Sequence, residues 1–200
     1  MIPKGRREHE EAVTALAQDV LQRAQASDAA AVDAVARLAL PRVLRWCARM
    51  GGPKVDHEDA AHDVLLVVLR QLPQLGRVEQ FDSWLFSITR RVLAGHRRRA
   101  WVRRWVPGLH IDAPDGASSP HRLTEQGQLA HKVREALDVL PAAQREVLIL
   151  CDLEGRTCAE AASMVGCPEG TVKSRLRLGR AAFSRAARAR GLADLALENG

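Results

Sequence analysis

The sequence predicts an all-α protein: two small helical domains joined by a flexible linker, the C-terminal one a helix-turn-helix. Three observations predict it. Apolar residues recur at three- and four-residue steps on both sides of residues 107–120, that segment is rich in proline, glycine and serine, and aromatics supply only 4% of a chain without tyrosine. Aliphatic side chains at helical spacing build helix bundles, whereas sheets draw on β-branched and aromatic residues. A chain of 200 residues has room for two compact domains near the lower size limit.

Residues 1–27 are weakly patterned and form an N-terminal extension that either lengthens the first helix or stays mobile. The first domain spans 28–106. Val32, Val35, Ala39, Val43, Trp46 and Met50 make one apolar stripe, stopped by Gly51, Gly52 and Pro53. A second helix begins near Asp56, with Asp56, Glu58 and Asp59 in its first turn opposite the exposed amides. It buries Val64, Leu65, Val68, Leu69 and Leu72, and Pro73 closes it. After a loop containing Gly76, a third helix starts near Gln80, turns Phe81, Trp84, Leu85, Ile88 and Val92 inward, and runs on into an arginine-rich stretch.

Residues 107–122 are the linker, and their PGLHIDAPDGASSP has no helix or strand period. The second domain spans 123–190, with 191–200 as a tail. Val133, Leu137 and Leu140 form a stripe ending at Pro141, and a helix from Ala142 to Asp152 turns Val147, Leu148 and Cys151 inward. Glu154 and Gly155 turn the chain into two short helices separated by Gly166, Cys167 and Pro168.

Thirty Lys and Arg against 24 Asp and Glu give a net charge of +6, and its layout matters more than its sum. Arg90 to Arg104 holds seven arginines and no acid, and Lys173 to Arg190 holds seven basic residues and no acid. Two concentrated fields of one sign point to a polyanion contacted at two places. The opening MIPKGRREHEEAV lacks the apolar core of a signal peptide, and no run approaches the roughly 18 apolar residues of a membrane span. The chain is therefore expected in the cytoplasm, without membrane insertion.

Neither cofactor nor metal is expected, and no enzyme. The four cysteines, Cys47, Cys151, Cys158 and Cys167, form no CxxC pair. His57 and His62 are five apart and do not share a helix face as a zinc pair would. No nucleophile triad or glycine-rich phosphate loop stands in a recognisable motif, and the histidines read as surface or helix-end residues.

The strongest local signal is TCAEAASMVGCPEGTVKSRLR, from Thr157 to Arg177. Thr157 with Glu160 makes a capping box, Ala161 permits a close helix crossing, and Gly166 suits a left-handed turn. Val172 and Leu176 anchor the second helix, which leaves Thr171, Lys173, Ser174, Arg175 and Arg177 for the solvent face. Such a helix fits a major groove, where an arginine fork reads guanine and other cations hold phosphates, a role open to Lys173, Arg177 and Arg180.

Taken whole, the chain resembles the extracytoplasmic-function group of bacterial sigma factors, the smallest of the sigma-70 class. The stretch LDVLPAAQREVLILCDLEGRTCAEAASMVGCPEGTVKSRLRLGRAAF, Leu137 to Phe183, is similar to region 4 of that family throughout. His57 to Val64, Phe81 to Leu85 and Ile88 to Val92 resemble segments of its region 2. The resemblance implies a factor that directs core RNA polymerase to specific promoters. Glu58, Asp59, His62 and Asp63 would meet the polymerase. Arg77, Trp84, Arg90, Arg91, Arg97 and Arg98 would hold the −10 strand, with core packing the stronger role for Trp84. Thr171, Lys173, Ser174, Arg175, Arg177 and Arg180 would read the −35 duplex. An anti-sigma factor as regulatory partner is typical of the family, and Asp112 and Asp115 fit a linker that mimics nucleic-acid charge. The chain departs from the family pattern at Ala60, Ala61, His62, Arg91, Cys158 and Ala161. The alternative is a conventional helix-turn-helix regulator that binds DNA without polymerase.

Overall fold

The computed structural model describes residues 19–77, 80–105 and 125–192, all helical or in turns, with no strand among them. Helix α1 covers 19–25, α2 Ala29–Met50, α3 His57–Gln71, α4 Phe81–Trp105, α5 Glu125–Asp138, α6 Ala142–Leu148, α7 Cys158–Val165 and α8 Glu169–Arg188. The linker with Asp112 and Asp115, residues 1–18 and the tail from residue 193 lie outside the described residues.

Each long helix starts where a side chain satisfies its first amides. The Asp28 carboxylate accepts from the Ala30 and Ala31 amides at 2.9 and 3.1 Å, and that of Asp56 accepts from Glu58 and Asp59 at 2.9 and 3.0 Å. Residues 19–25 do not lengthen α2. They form the separate α1, because Ser27 takes a left-handed φ of 66° and turns the chain between the two. Pro41 lies on the solvent side of α2 and does not end it, while Val35, Ala39, Val43, Trp46 and Met50 bury the opposite face.

Helices α2, α3 and α4 pack pairwise into the front bundle. Trp46 meets Phe86 edge-on with ring centroids 5.1 Å apart, and both are almost fully buried. Ala60 and Ala61 are buried on α3, the helix that packs most extensively on α2.

The back half gathers α5, α6 and α7 around α8. Here the structure corrects the expectation of one helix from Ala142 to Asp152. The α-helix ends at Leu148 and a π-helical turn, Ile149–Leu153, follows. Its wider winding goes with burial of four successive residues, Val147 to Leu150, and leaves Cys151 half-buried rather than inward. Gly155, at φ 69°, then reverses the chain toward α7.

The two halves are in contact. α4 packs on α7, and α2 on α5 and α6.

Candidate nucleic-acid and polymerase interfaces

The helix-turn-helix is built as its sequence indicates. Thr157 Oγ1 accepts from the Glu160 amide at 3.2 Å, while the Glu160 carboxylate accepts from the Thr157 amide at 2.7 Å and its hydroxyl at 2.8 Å. Those bonds hold the Glu160 carboxyl below the usual carboxylate range. Gly166 caps α7 at φ 70°, and buried Val172 and Leu176 fix α8. Gly179 lets α8 approach α6 closely, since a Cβ there would stand 3.2 Å from the Gln144 carbonyl oxygen.

This seating leaves Lys173, Ser174 and Arg177 exposed, with Thr171, Arg175 and Arg180 half-buried. Lys173 pairs with Glu169 one turn back at 2.7 Å, which raises its pKa. Arg175 Nη1 lies 3.6 Å from Cys167 Sγ. Arg180 forks onto Asp152 at 3.1 and 2.8 Å, so its charge is already matched and it braces α8 against the π-turn.

At the other end of the molecule, the first two turns of α3 present Glu58, Asp59 and His62 to solvent, with Asp63 partly covered. What lies behind them has no local signal in the sequence. His96, expected at the surface, is only 8% exposed. Its Nε2 lies 2.9 Å from Asp63 and its Nδ1 3.9 Å from Asp59, with Arg99 3.6 Å from Asp63. Asp59, Asp63 and His96 each bring one possible metal-ligand atom within 4.8 Å of the others. Nε2 is within hydrogen-bond distance of Asp63, while Nδ1 is too far from Asp59 for a hydrogen bond.

The expected −10 residues are distributed along α4 and the loop before it. Arg77 and Arg98 are exposed, and the neighbouring loop residues 78 and 79 lie outside the described residues. Arg91 donates to Gln71 at 3.3 Å, and Arg97 to the Met50 carbonyl at 2.9 Å. Trp84 is half-buried against Phe81, centroids 5.9 Å apart. It also lines a cleft of about 440 Å³ whose far wall is Met164, Val165 and Gly166 of the helix-turn-helix. Arg90 crosses that cleft to the Val165 carbonyl at 3.1 Å and to Glu146 at 2.8 Å. Arg90 and Trp84, two of the residues expected to hold the −10 strand, thus face the back half.

Further pairs join the halves. Arg156 donates to Asp82 at 2.6 Å and Arg49 reaches Glu154 at 3.1 Å, while Arg42 meets the Asp82 carboxylate within the front bundle. Arg145, 7% exposed, bonds the Met50 carbonyl at 3.3 Å, Asp138 at 3.1 Å and the carbonyls of Asp138 and Leu140. Burial raises the Asp138 pKa against the pull of Arg145. None of these roles was read from the sequence. The available signal was the adjacent charged pair Arg145 and Glu146 directly before the apolar run Val147 to Leu150.

Comparison with known proteins bears on both halves. Residues 35–106 match the family described as Sigma-70 region 2, and residues 130–183 match Sigma-70, region 4. The chain is 31% identical over 150 residues to the ECF RNA polymerase sigma factor SigE of Mycolicibacterium smegmatis, covering 74% of this chain and 58% of that one. It is 30% identical over 150 residues to EcfG of Rhodopseudomonas palustris, covering 73% and 79%. Among solved structures, CnrH in complex with the cytosolic domain of CnrY shares the fold, with a TM-score of 0.62 at 21% identity over 86% of this chain and 97% of that one. The sigma factor RpoE of Bartonella quintana, solved with the anti-sigma factor NepR, gives 0.56 at 27% identity over 76% and 92%. With both regions matched in order, the chain belongs to the extracytoplasmic-function (ECF) RNA polymerase sigma factors.

Proposed function

We propose that this protein directs core RNA polymerase to specific promoters, with residues 28–106 docking on the enzyme and holding the −10 strand while residues 123–190 read the −35 duplex. The observation that carries the reading is one chain with an acidic face on α3 and an outward basic face on α8. Glu58, Asp59, His62 and Asp63 suit a protein partner of opposite charge, and Lys173, Ser174 and Arg177 stand where a groove would meet them. Arg175 is the best-placed reader of guanine, while Arg77, Arg91 and Arg98 hold the displaced strand through its phosphates. Binding at two DNA elements raises the effective concentration of each module at promoters carrying both.

The chain contributes binding free energy and no catalytic step. Its site of action is the cytoplasm, in keeping with the fact that no helix among the described residues is long and apolar enough to cross a membrane. An anti-sigma factor is its regulatory partner, a reading supported by the RpoE relative captured with one. Run-off transcription with purified core polymerase over a promoter library tests the proposal. Polymerase-dependent initiation at a defined pair of elements supports it, and DNA binding that ignores polymerase counts against it.

A further inference from the structure

Where the halves meet, the loop after α2, the far end of α4 and Arg145 of α6 enclose a cavity of about 250 Å³. Its charged lining is Lys54, Arg97 and Arg145, with no acid, and the exposed indole of Trp101 forms one wall. Gly51 and Gly52 line it, at positions that disfavour a side chain. A Cβ on Gly51 would stand 2.7 Å from the Cys47 carbonyl oxygen, and Gly52 holds a φ of +87°.

The cations are crowded together. Arg97 and Arg145 donate to one carbonyl, that of Met50, at 2.9 and 3.3 Å. Burial lowers the pKa of each, Arg97 adds to the lowering at Arg145, and Arg90 adds to it at Arg97. The nearby acids are already engaged, Asp138 by Arg145 and Glu146 by Arg90. Lys54 makes no ion pair with any described residue and extends from the rim. A concave, largely apolar wall with a few converging cations is the form of a small-ligand site, and its volume, just under the usual ~300 Å³ lower bound, holds a ring and a phosphate.

We propose that this cavity binds a nucleoside phosphate, its ring against Trp101 and its phosphate oxygens on Lys54 and Arg97, with Arg145 of the back half completing the cationic wall. Stacking on an indole and charge-assisted bonds to guanidinium are sequence-independent modes of nucleotide recognition. Because the lining comes from both halves, such a ligand favours the packed molecule over the separated one by its differential affinity.

Thermal shift and tryptophan fluorescence on the isolated full chain, titrated with ADP and GDP, test this without polymerase, so the result stands apart from the proposed promoter role. Saturable quenching with a rise in Tm is expected, with pyrophosphate competing. Lys54→Ala should weaken binding about tenfold, and Trp101→Leu should abolish the saturable quench. Arg156→Ala, outside the cavity but across the junction, should also weaken binding. Absence of saturable binding at millimolar nucleotide overturns the proposal, as does binding unchanged in both cavity variants, which would place the nucleotide on the arginine-rich surface. Unchanged affinity in Arg156→Ala overturns the part given to Arg145 and the packed back half.

Discussion

Asp82, in the first turn of α4, takes the guanidinium of Arg156, from the segment just before α7, at 2.6 Å, and so ties the front bundle to the back half. The same carboxylate also meets Arg42 of α2. Each member is about one-third exposed, so either pair alone contributes at most about 1 kcal/mol, screened by salt.

Asp82→Asn is therefore expected to loosen the junction without unfolding either bundle. Small-angle scattering should give a larger radius of gyration for the variant than for the parent at low salt, with the two converging at high salt. Identical radii at every salt concentration would show that apolar contact between α4 and α7 alone holds the halves.

Arginines one and a half turns apart on α8 should behave differently. Arg175→Ala is expected to relax −35 selectivity, with discrimination at one base pair falling by about 1–3 kcal/mol. Arg180→Ala should act first on stability, lowering Tm, because it removes a bidentate partner and leaves the nearly buried Asp152 carboxylate uncompensated. Measuring affinity for matched and mismatched duplexes beside Tm separates the two. Uniform weakening on all DNA by Arg175→Ala would assign that residue to the backbone.

Thr157→Ala should cost about 0.5–2 kcal/mol, as N-cap losses do. The deficit should appear as a lower denaturation midpoint of the parent fold. An unchanged midpoint would mean that Glu160, through the Thr157 amide, suffices to cap α7.

His57 gives a pH dependence with a definite sign. Burial, reinforced by Arg134, lowers its pKa from the ordinary histidine value, and its Nδ1 is buried without a hydrogen-bond partner. The unfolded chain then binds the proton more readily than the folded one. This contribution to stability is complete above about pH 6.5 and is lost as pH falls through the folded value. His57→Gln should flatten the slope of Tm against pH in that window, and an identical slope would assign the loss to other groups.

Much of this was legible in the chain itself. Periodic apolar positions placed α2 to α8 because each stripe needs one partner surface, and Thr157, Glu160 and Gly166 signal a cap and a turn through local geometry alone. The residues that join distant segments were not legible. Arg145 reaches Met50 across 95 positions and Arg49 reaches Glu154 across 105, and no local period reports such a meeting. His96 was misplaced for the same reason. Its burial depends on two aspartates of α3, more than thirty residues earlier, turning the same way. The π-turn after Leu148 escaped because Ile149 to Leu153 is as compatible with an α-helix as with the wider winding.

On the proposed promoter role, a strand that used the Trp84 cleft would enter only molecules in which Val165 has moved away from it. Apparent promoter affinity is then the intrinsic affinity scaled by the fraction open, and one open molecule in about a hundred would weaken it about a hundredfold. Output can accordingly be graded by shifting a population, with every DNA-contacting side chain left as it is.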